Sequence, residues 1–267
     1  MQYTGENALM KTLIVAVWML AALVAPGARA LDPRKSLTQY SRTIWTQERG
    51  LPQDTIRAIT QTRDGYLWLG TDEGLARFDG YEFAVFNKSN GDLPDNTITA
   101  LAAGSDGSLW IGTPSGLTQY RGGHFRTLTE KQGLPDDAIT ALHEDAEGAL
   151  WVVAGVYLTR YRDGRFTTFA PDKDIPVTSA RTICEDAKHD LWVAGFSRVV
   201  RRTGGRFVTV LDSQVLGGIV VNYLIVDSAD NLWVAGNAGI IRRSPDGTVQ
   251  KYGVRDGLPD TDRKSVV

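Results

Sequence analysis

Five positions carry a polar side chain at a fixed interval. Arg57, Thr99, Thr140, Arg181 and Asn222 follow one another at 41 or 42 residues, each preceded by an apolar residue: Ile56, Ile98, Ile139, Ala180 and Val221. Guanidinium, hydroxyl and amide groups at one repeat position can bind sugar hydroxyls or a carboxylate, with arginine giving two parallel bonds to one anion. A second set comes from a departure. A glycine recurs at Gly74, Gly116 and Gly239, and Tyr157 and Arg198 stand in its place in the third and fourth repeats. Glycine at a turn commonly serves a positive φ, so a large residue there signals either a changed turn or a purpose for the side chain. Arg57, Arg181, Asn222, Tyr157 and Arg198 are therefore the candidate ligand-binding residues, with solvated loop variation as the plain alternative. Neutral replacement of Arg57 and Arg181 is expected to weaken binding.

Other chemistry finds little support. His124, His143 and His189 fall at different repeat positions without ligand spacing, so no metal site is expected. No phosphate-binding loop and no nucleophile–base pattern stands out, so no catalytic residue and no cofactor is expected. A net charge of −2 gives no footprint for nucleic acid. The one cysteine, Cys184, excludes an intramolecular disulfide and sits in an apolar stretch, where core filling is the expected role.

The elements that must carry these residues are repeats. Residues 65–71 read Gly-Tyr-Leu-Trp-Leu-Gly-Thr, and the phrase returns around Trp110, Trp151, Trp192 and Trp233, again at 41 or 42 residues. Such a period marks a propeller or solenoid. Each repeat opens on a Gly-Leu-Pro-like loop, such as Gly50-Leu51-Pro52 or Gly133-Leu134-Pro135. Four strand-like runs follow, separated by turns rich in Asp, Asn and Gly, which is hairpin chemistry. The expected fold is all-β: a β-propeller of four-stranded antiparallel blades of about 41 residues each. Five complete blades are expected at about 55–87, 97–129, 138–170, 179–211 and 220–252, within a repeat region 31–259. Each Trp is expected between blades, where both faces of a strand are buried. Loops entering the first strand share a face with the turns joining the second and third, and a ligand is expected where they meet the central channel.

The ends read differently. Residues 40–46 are expected to form an orphan outer strand that closes the ring, since Trp45 precedes Leu51 as Leu128 precedes Leu134. A sixth repeat opens at Gly257-Leu258-Pro259 and fades in 260–267, so the ring is expected to be incomplete and the chain a piece of a longer protein. Residues 1–30, with Lys11, an apolar run over 13–24 and Ala28-Arg29-Ala30, have the anatomy of a secretory signal peptide. Met10 is an alternative start, and an uncleaved anchor an alternative role.

The assembled phrase, Gly-Leu-Pro-x-[Asp/Asn]-x-Ile-x-x-Ile followed by Asp-Gly-x-Leu-Trp-[Leu/Ile]-Gly-Thr-x-x-Gly-Leu, resembles the two-component regulator propeller repeat. The match is nearly complete over 45–86 and 93–125 and drifts in the last three repeats. The resemblance implies a periplasmic sensor region of a bacterial membrane receptor that binds a small molecule or saccharide. It also implies a following β-sandwich, a membrane helix, a histidine kinase or diguanylate cyclase transmitter, and a homodimeric arrangement. The region itself would carry no catalysis. A propeller enzyme, such as a lyase or a quinoprotein-like dehydrogenase, and a protein-interaction scaffold are the alternatives.

Overall fold

The computed structural model describes residue 36 and residues 43–258. The expected signal peptide (1–30) and the tail (260–267) lie outside them. Among the described residues, no helix is long and apolar enough to cross a membrane.

Among the described residues, twenty strands form five four-stranded antiparallel sheets, each strand pairing with its sequence neighbour. Blade I comprises β1 (Ala58–Gln61), β2 (Leu67–Gly70), β3 (Leu75–Phe78) and β4 (Phe83–Phe86). Blade II comprises β5 (Ala100–Ala103), β6 (Leu109–Thr113), β7 (Gly116–Arg121) and β8 (His124–Leu128). Blade III has β9 (Ile139–Glu144), β10 (Leu150–Ala154), β11 (Tyr157–Arg162) and β12 (Arg165–Phe169). Blade IV has β13 (Ala180–Glu185), β14 (Leu191–Gly195), β15 (Val199–Thr203) and β16 (Arg206–Leu211). Blade V has β17 (Val221–Val226), β18 (Leu232–Gly236), β19 (Gly239–Arg243) and β20 (Val249–Tyr252). These bounds fall within a few residues of the blades expected from the repeats. The innermost strands β1, β5, β9, β13 and β17 neighbour one another in series, and the arc is not closed.

The core is divided among the blade interfaces. Strand periodicity sends alternate side chains to opposite sheet faces. In β10, Leu150, Val152 and Ala154 therefore join Trp110 and Leu117 of blade II, while Trp151 and Val153 join Ile183 and Val193 of blade IV. The same arrangement links blade I to II and blade IV to V. This is why the second strands of blades II, III and IV are buried at every residue. Burying one tryptophan removes roughly 150–250 Å² from water, a gross gain of about 4–6 kcal/mol. Trp233 has no following blade among the described residues and is only half-buried. The leucine or isoleucine of each Gly-Leu-Pro-like loop is buried as a wedge: Leu51, Leu93, Leu134, Ile175 and Leu216 are all at most 7% exposed.

The recurring Gly-Thr of blades I and II has a packing reason. A Cβ on Gly70 would lie 2.5 Å from Ile98, and one on Gly112 would lie 2.7 Å from Ile139, each in the next blade. Thr71 and Thr113 then close the hairpin, their hydroxyls donating to the carbonyls of Gly74 and Gly116 at 2.8 and 3.0 Å. Blades III–V lose this threonine, and at the other end an aspartate takes the place that Thr62 has in blade I, where it accepts the Trp68 indole N–H at 3.0 Å. Trp151, Trp192 and Trp233 donate their indole N–H to Asp145, Asp186 and Asp227 at 2.7, 2.9 and 2.8 Å. Arg160, Arg201 and Arg242 lie over the same indoles at 5.7, 5.1 and 5.7 Å.

The expected strand over 40–46 is corrected in part. Residues 43–46 carry no strand, and 40–42 lie outside the described residues. The backbone turns instead into a short 3-10 helix at Gln47–Arg49. Trp45 still packs as an outer-strand aromatic would. Its ring is 4.9 Å from Phe78 and 5.4 Å from Phe83, as Phe86 is 6.0 Å from Tyr120 and 5.3 Å from Phe125 one blade on.

Candidate ligand-binding site

The five polar positions at the start of the inner strands share one backbone device. In blade III, Ile139 pairs with Ala154 and Ala141 with Val153, so Thr140 is an extra residue in the ladder. Arg181 is skipped in the same way between Ala180 and Thr182, and Asn222 between Val221 and Tyr223. In blades I and II the N–H of Arg57 and of Thr99 bonds the carbonyl of Gly70 and of Gly112, the residues that Ala58 and Ala100 already face. A β-bulge bends its strand and re-aims the extra side chain, and bulges are common beside binding sites.

Three of these residues converge. Thr140, Arg181 and Asn222 line one cavity of about 720 Å³, together with Ser179 and Asn237. Gly155, Ala180 and Val220 complete its wall. That volume lies in the range of small-molecule sites, roughly 300–1,000 Å³. The wall comes from loops entering inner strands and from turns between second and third strands, as the strand alternation requires. Asn237 is fixed by a reciprocal pair: its Oδ1 accepts the Val220 N–H at 2.9 Å, which leaves its NH2 group to donate. Among the described residues no carboxylate, histidine or cysteine lines the cavity.

The remaining sequence candidates sit elsewhere. Arg57 forms a two-point pair with Asp72 of its own blade, Nη2 lying 2.9 Å from Oδ2. Thr99 donates its hydroxyl to the Ile139 carbonyl at 2.6 Å, joining blade II to blade III. Arg198 is exposed; it reaches the Pro176 carbonyl at 3.4 Å and lies 3.9 Å from Asp172, fastening its turn to the loop before β13. Tyr157 opens β11 opposite Ala154 and does not line the cavity. Of the two meanings offered for Tyr157, the structure shows a changed turn. Gly74, Gly116 and Gly239 have φ of 137, 137 and 145°, whereas in blade III the left-handed residue is Gly155, at 58°.

Sequence reasoning missed Ser179, Asn237 and Phe196. Phe196 is 48% exposed, and its ring lies 4.6 Å from the Arg181 guanidinium. The signal was available: Asp72, Pro114, Gly155, Phe196 and Asn237 share one repeat position, the first turn residue after the second strand.

The histidines hold no metal geometry. His143 and His189 contact the two oxygens of Glu185 at 3.1 and 3.0 Å, at the opposite end of β13 from Arg181. Among the described residues there is no cluster of three groups able to hold a metal ion. Cys184 packs against the interface of blades IV and V, and burial, with Asp186 adding to it, pushes its thiol up to about 12.

Residues 50–73 and 92–115 match the family described as Two component regulator propeller. Two stretches of the chain, in blades I and II, thus carry the two-component regulator propeller repeat. No curated protein matches the sequence. Among solved structures, it resembles the extracellular domain assigned to the hybrid two component system BT3049 of B. thetaiotaomicron, at 20% identity and a TM-score of 0.64. That similarity covers 72% of this chain and 28% of the other. The extracellular domain of BT4673 from the same organism gives 18% identity and 0.63, over 74% and 31%. Virginiamycin B lyase of Staphylococcus aureus gives 18% and 0.60, over 74% and 69%. The chain thus spans about a third or less of the two-component domains it resembles. At these identities the likeness establishes the fold.

Proposed function

We propose that these repeats form part of an exported, periplasmic ligand sensor of a bacterial two-component or cyclic-di-GMP receptor. The reading places a small molecule or saccharide in the cavity over the inner strands. The observation that carries it is the convergence of three bulge residues, Thr140, Arg181 and Asn222, with Asn237 on one concave wall. Repeat identity and the extracellular domains that share the fold support the same reading. Binding would bias how neighbouring blades pack, because the bulge residues sit on the strands that form the blade interfaces. A β-sandwich, a membrane helix and a transmitter domain, in a homodimer, would pass the change onward.

The second reading is an enzyme, favoured by the fold shared with virginiamycin B lyase over 69% of that chain. A histidine-to-alanine variant of that lyase is catalytically inactive. Among the described residues no histidine or carboxylate lines the cavity, and none of them is placed there as a general base. The sensor reading is preferred on that ground.

Thermal unfolding against a panel of mono- and oligosaccharides tests it. A ligand at a hundred times its Kd stabilises by about 2.7 kcal/mol, roughly 5–10 °C in Tm for a domain of this size. A flat response across the panel refutes the sensor reading. Consumption of a stabilising compound, followed by mass spectrometry, would move the assignment to the lyase.

A further inference from the structure

The two arginines at the bulge position differ in one decisive respect. In blade I, Arg57 faces the first turn residue, Asp72, which neutralises it. In blade IV the same turn position is Phe196, and Arg181 lies against its ring at 4.6 Å. Among the described residues Arg181 has no carboxylate partner and no hydrogen-bond acceptor. Among the described residues the cavity it lines holds no acid; its side-chain polar groups besides Arg181 are the hydroxyls of Thr140 and Ser179 and the amides of Asn222 and Asn237. A guanidinium stacked on an aromatic face keeps its five N–H donors in the plane, free for two-point bonding to a planar anion. The Phe196 ring, 48% exposed and held against Arg181 next to the cavity residues, suits the apolar face of a sugar ring.

We infer that the cavity is built for a carboxylate-bearing sugar of the uronic acid class, with Arg181 as the anion fork and Phe196 as its orienting platform. The inference rests on the sensor reading above and specifies its ligand. Arg57 is the internal comparison: the same position, with its charge already satisfied by Asp72. Asp136, in the loop entering β9, lies against Gly155 of the wall, and its carboxylate is engaged in capping the Ala138 N–H at 2.8 Å.

Titration calorimetry on the full chain, with D-glucuronate, D-galacturonate, D-glucose and sulfate, decides the matter. One uronate is expected to bind at least tenfold more tightly than glucose or sulfate and to weaken as salt rises. Arg181→Gln and Phe196→Asp, the second reproducing the Arg57–Asp72 pair, are each expected to weaken uronate binding at least tenfold. Both positions are partly exposed, and unchanged unfolding curves check that the fold survives. Glucose binding as tightly as uronate, or uronate affinity unchanged in Arg181→Gln, overturns the inference while leaving the sensor reading intact. Sulfate binding as tightly as uronate overturns the sugar class. If no probe binds and the wider saccharide panel also fails, both readings fall together.

Discussion

Gly112→Ala tests whether blade spacing is set by the glycine of the repeated Trp phrase. The added Cβ would lie 2.7 Å from Ile139 Cγ2, 3.2 Å from Ile139 Cβ and 3.3 Å from Thr99 Oγ1. Carbon atoms rest at about 3.5–4.0 Å, so the overlap is about 1 Å. Ile139 is 1% exposed and branched at its own Cβ, leaving it no void to rotate into. Relief must come from moving β9 away from β6, which also stretches the 2.6 Å bond from Thr99 to the Ile139 carbonyl. Overpacking of this kind costs about 1–3 kcal/mol. Urea unfolding followed by tryptophan fluorescence reads the loss. Gly253→Ala is the control, since nothing lies within 4 Å of the added Cβ; its effect is expected within about 0.5 kcal/mol. Ile139→Ala alone should cost about 2–5 kcal/mol, and the double variant should be less unstable than the sum by about 1 kcal/mol or more. Stability unchanged in Gly112→Ala, or strict additivity in the cycle, would refute the close-approach argument.

Three further outcomes follow from the locks and the buried thiol. Asp186→Ala strands the Trp192 indole and the N–H groups of Lys188 and Asp190, while Arg201 keeps its pair with Asp190 at 2.5 Å, and should cost about 2–4 kcal/mol in urea unfolding; a loss below 0.5 kcal/mol, the usual surface value, would show the lock to be idle. Asp227 accepts from the Trp233 indole and from Asn231, which hold its carboxyl down at about 2. Its folded value lies below the unfolded value of about 3.9, so its contribution is complete above about pH 4 and is lost as pH falls toward 2. Acid unfolding followed by near-UV circular dichroism should therefore be less steep over that range in Asp227→Asn, and an identical profile would count against the linkage. With its thiol raised to about 12, Cys184 should resist alkylation by iodoacetamide at pH 8 until denaturant is added; rapid modification of the native protein would contradict the packing.

The repeat made the architecture legible. Trp68 and its four successors, the Asp-Gly turns and the Gly-Leu-Pro-like loops are fixed by short-range geometry, and short-range geometry recurs visibly in sequence. The bulge was legible only as a polar residue after an apolar one, because a ladder skip has no composition of its own. The cavity was half legible. Thr140, Arg181 and Asn222 stood at a repeat position, but what distinguishes Arg181 from Arg57 lies 15 residues on, at Phe196 and Asp72. That pairing exists only once the hairpin folds the turn back over the bulge. Tyr157 drew notice as a missing glycine, although the positive φ had moved two residues upstream to Gly155. A conformational need can be met at a neighbouring position, and an alignment by column does not show the exchange.

The placement of the cavity follows from what stands across the hairpin from each bulge residue. Arg57 is bound to Asp72 and Thr99 to the Ile139 carbonyl, so blades I and II spend their bulge side chains on internal bonds. In the later blades the first turn residue across from the bulge is a glycine for Thr140, a phenylalanine for Arg181 and an asparagine for Asn222. These are also the blades that depart from the repeat phrase and hold their tryptophans with Asp145, Asp186 and Asp227. Those aspartates act at the end of the blade away from the bulge. Trp68 is held at that end too, by Thr62, while blade I keeps its Gly-Thr closure, so anchoring the tryptophan does not by itself release the turn. What sets the cavity blades apart is the turn residue itself: Gly155, Phe196 and Asn237 stand where blade I has Asp72.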